Sequence, residues 1–170
     1  KWQLVPICSD TIQPDEELQK FIDSYSSEID RKYSTLLCRT AQELTHPSRI
    51  IETSLGNLFA DIFAENAACD VALIGSGSIR QKQMGPVVTL RDLRQTFPYD
   101  DVYRRFTVTG EQVQRIFSHI MRAENRNSEG ECYHVNRGVR VVHDDHPNKQ
   151  LSLEIMGKPI DPPAHYPIGL

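Results

Sequence analysis

The sequence predicts an α+β domain joined to a connecting helix, and three observations lead there. Apolar residues at Leu18, Phe21, Ile22, Tyr25 and Ile29 follow the 3–4 spacing of an amphipathic helix. A continuous apolar strand, Val71-Ala-Leu-Ile74, runs into a turn of four small residues, Gly75-Ser-Gly-Ser78. Beyond residue 132 three strand candidates follow one another without a helix between them, which favours segregated helices and strands over a continuous Rossmann wind.

Taken in order, Trp2-Gln-Leu-Val-Pro-Ile7 reads as a short strand without its neighbours. Pro14-Asp-Glu-Glu17 then supplies the proline and acidic first turn that helix N-termini prefer. The helix that follows suits a solvated linker joining this domain to something upstream. The core domain is expected to begin near Leu36. His46-Pro-Ser-Arg49 is a loop, and Thr53-Ser-Leu-Gly-Asn57 opens a second helix with Leu58, Ile62 and Phe63 expected inward. Thr89-Leu-Arg-Asp-Leu93 reads as a short helix capped by Thr89, with Asp92 three residues on. It ends at Phe97-Pro98-Tyr99, because a residue before proline is biased away from helix.

Phe106–Thr109 is a strand, and Gly110 starts a helix carrying Val113, Ile116, Phe117 and Ile120. Residues 123–131 are polar and read as a flexible loop. Strands are then expected at Tyr133–Val135, Val139–His143 and Leu151–Ile155, the last two forming a hairpin around Asp144-Asp-His-Pro-Asn148.

Composition narrows the function classes. At 170 residues, 39% hydrophobic and 25% charged, the chain can bury one sizeable core. A net charge of −4 argues against a general binder of nucleic acid or of anionic membranes. No apolar run approaches the roughly 20 residues needed to span a bilayer. The chain starts at Lys1 without a signal peptide, as expected of a processed or excised piece, and its start says nothing about export. Cys8, Cys38, Cys69 and Cys132 are dispersed, with no close pair of the kind structural zinc uses. Two disulfides are possible, but dispersed buried thiols are the favoured reading.

No self-sufficient catalytic constellation is visible. The six histidines (His46, His119, His134, His143, His146 and His165) are scattered and read as surface or loop residues. There is no His-x-x-x-His pair and no Gly-x-Ser-x-Gly elbow; Ser76 falls one residue short of that pattern. Binding groups are easier to find. Small side chains at 75–78 let a ligand approach the main chain, whose successive N–H groups can form an anion nest, although such a turn can equally be only a tight corner. Arg80 at its end adds a planar, permanently charged fork, and Arg49 is a second loop cation; for either, the plain alternative is a surface salt bridge. Tyr99, held beside Pro98, offers a flat face to a heterocyclic base, the plain alternative being rim packing. Asp100 and Asp101 can cap a turn or accept from a hydroxyl, and Arg104-Arg105 is a solvated basic step.

The order of several motifs resembles one family. Glu52-Thr-Ser-Leu-Gly-Asn-Leu-Phe-Ala-Asp61, Asp70-Val-Ala-Leu-Ile-Gly-Ser-Gly-Ser-Ile-Arg80, Phe97-Pro-Tyr99 and Val108-Thr-Gly-Glu-Gln-Val113 are similar, in order and spacing, to the C-terminal domain of 5′-nucleotidases. Gly157-Lys-Pro-Ile-Asp161 and Tyr166 resemble that family's closing hairpin. The resemblance spans roughly residues 36–170 and implies a layered α/β/β/α fold; residues 1–35 would be the end of a preceding domain and an interdomain helix.

The resemblance further implies a two-part enzyme, a 5′-nucleotidase, cyclic phosphodiesterase or nucleotide-sugar hydrolase. Its N-terminal metallophosphatase domain, in cis, would hold a pair of divalent metals and the catalytic histidine. This chain would hold the nucleotide or nucleoside substrate, with no metal or cofactor of its own. Arg49 and Arg80 would contact phosphate, and Gly75, Gly77 and Tyr99 the nucleoside, Tyr99 matching a phenylalanine on one side of a base-stacking clamp. Gly56, Asn57 and Asp61 are expected to serve the helix start and its packing. Two departures stand out. Gly75 replaces an asparagine that bonds the base in many members, and the chain stops at Leu170, before the family's Gly-Gly-Asp-Gly segment and second stacking aromatic. Family members are often periplasmic, extracellular or surface-anchored, but no export signal is visible here. The alternatives are a stand-alone, non-catalytic binding or assembly module, or a relative acting on a cyclic nucleotide, a nucleotide sugar or a thiosulfate conjugate.

Overall fold

The computed structural model describes residues 2–8, 12–126, 132–144 and 149–170; the side chains of residues 126 and 149–151 are outside the description. The first helix, α1 (Glu16–Tyr33), starts where Asp15 accepts the amides of Glu17 and Leu18. Its apolar stripe faces solvent from Leu18 to Ile29, and none of its residues is buried. Residues 2–8 form no strand, because no ladder partner stands beside them among the described residues. The expected N-terminal strand is therefore corrected to irregular chain.

Four elements follow: β1 (Leu36–Arg39), β2 (Leu44–Thr45), α2 (Ser54–Ala67) and β3 (Val71–Gly75). Thr53 caps α2 through the amide of Gly56. The buried face of α2 is Leu55, Gly56, Phe59, Ala60 and Ala64; Leu58 and Phe63 are partly buried beside it, but Ile62 is exposed, against expectation. The apolar residues of this helix wrap more than one face, so spacing alone misplaced Ile62.

After β3 a single 3-10 turn (Ser76–Ser78) leads to β4 (Gln83–Met84), β5 (Val87–Thr89) and α3 (Leu90–Thr96). Thr89 and Asp92 form the expected reciprocal cap, with the Thr89 amide donating to Asp92 at 2.8 Å. Those bonds hold the Asp92 carboxyl below its usual range. Next come β6 (Arg105–Thr109) and α4 (Gly110–Ile120), then a short 3-10 turn at Ala123–Arg126 in what was expected to be loop. The remainder of that loop, 127–131, lies outside the described residues.

The chain closes with β7 (Tyr133–Val135), β8 (Val139–Asp144), β9 (Lys149–Ile155), β10 (Lys158–Pro159) and β11 (His165–Gly169). β8 and β9 pair antiparallel as expected, while residues 145–148 of their turn lie outside the description. Met156 and Gly157, both at positive φ, make the two-residue turn from β9 to β10. Tyr166 is not part of that hairpin: it sits on β11, in a different sheet.

That sheet, ordered β6-β11-β3-β7, organises the domain. β3 runs parallel to β11 and antiparallel to β7. Val71 and Leu73 point to a core built with Val113 and Phe117 of α4 and with Val139, Leu153 and Ile155 of the three-stranded sheet β10-β9-β8. Ala72, on the other face, meets Ala64 of α2. Both faces are covered, which is why the strand reads as an unbroken apolar run rather than an alternating one. A second core, Leu55, Phe59, Ile79, Met84 and Val88, packs α2 against the small strands that follow the turn. Helices and sheets thus stack in layers, and the mixed fold class is as expected.

Of the cysteines, Cys69 is buried and Cys132 partly so, but Cys8 and Cys38 are exposed, so a uniform set of buried thiols does not hold. Gly169 leaves room for Tyr103, whose hydroxyl would lie 2.0 Å from a Cβ there. The same hydroxyl faces Cys69 Sγ at 3.6 Å, and burial pushes its pKa well up.

Candidate functional site

Three loops converge at the C-terminal end of β3, around an open cleft of about 430 Å³. Its walls are Arg49, from the loop before α2; Gly77, Ser78 and Arg80, from the turn after β3; and Tyr99 and Asp101, from the loop after α3. Four of the five residues singled out from the sequence (Arg49, Gly77, Arg80 and Tyr99) therefore meet at one place. Gly75 does not line the cleft; it is the last ladder residue of β3, paired with Tyr133.

Local bonds set each wall. The Arg80 amide donates to Thr96 O at 2.8 Å, tying the turn to the end of α3, and its Nη1 reaches back to Gly77 O at 3.3 Å. Asp100 accepts from Arg94 at 3.1 Å, which fixes the neighbour of Tyr99, while Asp101 has no ion pair among the described residues. Tyr99 is 44% exposed, enough to present a ring face to a ligand. The turn is less of an anion nest than expected. The amides of Ser76, Ile79 and Arg80 already bond Cys132 O, Ser76 O and Thr96 O, so at most Gly77 and Ser78 have main-chain donors for a ligand.

Directly behind the cleft lies a feature that sequence reasoning missed. His46 and His134, read from the sequence as surface or loop residues, are both buried, His46 in a loop and His134 on β7, and pack edge to face with ring centroids 5.3 Å apart. His46 Nδ1 meets Thr53 Oγ1 at 2.9 Å, and its Nε2 faces Ser76 Oγ at 3.5 Å. Its backbone amide is bonded to Lys82 O at 2.6 Å. His134 has no accessible surface and neither ring nitrogen has a partner among the described residues. Gly56 makes space for that ring, since a Cβ there would stand 2.2 Å from His134 Cγ. Burial pushes the His134 pKa down to about 4, and the neighbouring His46 adds to the effect. Burial also lowers His46, with Arg49 contributing, against a raising bond to the Ser76 backbone. The one available signal was weak: His46 stands between a strand and a proline, and His134 between two apolar-flanked positions of a buried strand.

A larger groove of about 1400 Å³ runs along α4 past Phe106, Val108, Ile116 and Ile120. It is mostly apolar and holds none of the convergent cations, so the smaller cleft has the better claim to anion chemistry. Two guanidiniums and a tyrosine suit a phosphate beside a planar group. They do not suit a metal ion, which two fixed positive charges would repel. Among the described residues no group of three His, Cys, Asp or Glu side chains is placed to hold one. No helix among them is long and apolar enough to cross a membrane.

Comparison with known proteins bears on the family and the fold. Residues 34–169 match the family model described as 5′-nucleotidase, C-terminal domain. No curated protein sequence matches. Among solved structures, a sulfate thiohydrolase SoxB from Thermus thermophilus, in complex with glycerol, aligns with a TM-score of 0.71 at 19% identity, over 95% of this chain and 31% of its own. NAD nucleotidase from Haemophilus influenzae aligns at 0.68 and 19% identity, over 93% of this chain and 32% of its own. A 5′-nucleotidase precursor from Thermus thermophilus aligns at 0.67 and 17% identity, over 91% and 33%. The chain spans about a third of the length of each of these proteins.

Proposed function

The chain belongs to the 5′-nucleotidase C-terminal domain family, and on that premise we propose that it is the substrate-binding part of a metal-dependent phosphoesterase acting on nucleotides. Residues 36–170 form the binding domain, and residues 1–35 are the tail of a preceding domain and its linker helix. The observation that carries the reading is the meeting of Arg49, Arg80 and Tyr99, from three separate loops, on one cleft. The two arginines take the phosphate through charge-assisted, fork-like hydrogen bonds, and the Tyr99 ring stacks on the base.

In this reading the metals and the attacking water are supplied by the N-terminal metallophosphatase domain that the family resemblance implies, and the residues of this cleft do not fit a metal. This chain supplies positioning and neutralisation of phosphate charge, both of which lower a phosphoryl-transfer barrier without a nucleophile of its own. Calorimetric titration with adenosine 5′-monophosphate tests the reading. Saturable binding that weakens in Arg49→Ala and Tyr99→Ala supports it. Metal-dependent release of phosphate by this 170-residue chain alone would overturn the assigned division of labour.

A further inference from the structure

The two phosphate-facing walls of the cleft come from segments far apart in sequence, and one buried side chain spans the seam between them. Arg49 lies three residues after His46, and Gly77 and Ser78 directly follow Ser76. The His46 ring reaches Thr53 with Nδ1, at 2.9 Å, and faces Ser76 with Nε2, at 3.5 Å. Thr53 accepts the Gly56 amide as the cap of α2, and its hydroxyl proton is free to donate to His46 Nδ1. When that donation is made, the ring proton sits on Nε2, directed at Ser76 Oγ. His134 and Gly56 complete the packing around the imidazole, and the Ser76 amide is held by Cys132 O at 2.8 Å.

We propose that His46 is a positioning residue: by holding its Nε2 proton on the Ser76 hydroxyl, it sets the distance between the Arg49 loop and the Gly77–Arg80 turn at which both arginines can grip one phosphate. This rests on the reading that the cleft takes a phosphate group. His46 touches no ligand itself. Its contact to Ser76 Oγ, at 3.5 Å, shortens in this proposal when the two walls close on an anion. The imidazole acts in its neutral form, which burial favours here.

Glutamine and asparagine separate the two ends of the ring. In His46→Gln the side-chain amide reaches the position of Nε2 and preserves the link to Ser76; in His46→Asn it reaches only that of Nδ1 and preserves the link to Thr53. Ser76→Ala removes the Ser76 hydroxyl without touching His46 or the main-chain bond to Cys132. The four proteins, wild type included, are titrated calorimetrically with adenosine 5′-monophosphate and with inorganic phosphate, and circular dichroism verifies the fold. His46→Gln is expected to bind both probes within about threefold of wild type. His46→Asn and Ser76→Ala are expected to bind both about tenfold more weakly, the effect of one lost hydrogen bond of about 1.4 kcal/mol. Equal losses in the glutamine and asparagine variants would mean that His46 only fills space, and would overturn the proposal. So would unchanged affinity in Ser76→Ala, which decides the matter even if a His46 variant does not fold. A wild-type chain that binds neither probe would instead remove the phosphate reading on which the proposal stands.

Discussion

Acid is expected to weaken this fold chiefly through His134. The ring is fully buried, neither nitrogen has a hydrogen-bond partner among the described residues, and its pKa is pushed from 6.5 down to about 4. In the unfolded chain the same group titrates near its ordinary value. Between pH 6.5 and 4 the unfolded state therefore holds a proton that the folded state refuses, and stability rises with pH across that window. The contribution is intact above the unfolded value and lost as pH falls toward the folded one. A shift of this size corresponds to about 3 kcal/mol when fully expressed, and to roughly 2–3 kcal/mol at pH 4.5. Against a typical total of about 5–15 kcal/mol that is a large fraction. His46, lowered by burial and by Arg49, acts in the same direction. Asp92, whose carboxyl the Thr89 cap holds below its usual range, loses its own contribution only at lower pH, so the window from 7.5 to 4.5 isolates the histidines. Urea denaturation of wild type and His134→Leu at those two pH values measures the effect. Leucine sacrifices no hydrogen bond and removes an unpaired buried polar group, so the variant should keep its stability near neutrality and lose most of the acid-dependent drop. The same drop in both proteins would refute the assignment.

Three further outcomes follow from contacts already described. Gly56→Ala drives a Cβ to 2.2 Å from the His134 ring and should destabilise by about 1–3 kcal/mol, with partial relief when combined with His134→Ala in a double-mutant cycle; simple additivity of the two changes would count against the close approach. Tyr99→Ala should reduce affinity for adenosine by about 1–3 kcal/mol, read by calorimetry, whereas an unchanged dissociation constant would exclude stacking. Arg80→Lys should weaken binding of adenosine 5′-monophosphate, because a point charge cannot reproduce a planar two-donor fork; intact affinity would make Arg80 structural.

The fold was largely legible where periodicity and capping chemistry are local. Thr89 with Asp92, and the Gly110 start of α4, depend on residues within four positions of each other, and both helices begin where expected. β3 was legible because burial on both faces leaves a continuous apolar run. The two-residue strands β2 and β4 were not, because each exists only through pairing with the other and carries no pattern of its own. The segment 2–7 shows the converse: strand-like residues without a neighbour make no strand. For the cleft, the cations and the aromatic could be named because residue type and the motif order of the resembled family pointed to the same positions. The histidines behind it could not. Whether a histidine is solvated or buried depends on what packs against it, here Gly56 from a helix some 80 residues earlier than His134.

That dependence also explains why Gly56 lies in so motif-like a stretch. A residue at the first turn of α2 would ordinarily be free to carry a side chain, and glycine there weakens the helix by about 1 kcal/mol relative to alanine. Here the helix tolerates it because the vacated volume is the one His134 occupies, and His134 in turn flanks His46. The helix cap Thr53, three residues upstream, bonds both the Gly56 amide and the His46 ring. One short segment thus starts the helix, seats the buried pair and anchors the loop that carries Arg49. A change anywhere in Thr53–Gly56 should therefore move the cleft as well as the helix, which is why affinity and stability must be measured together in every variant of this segment.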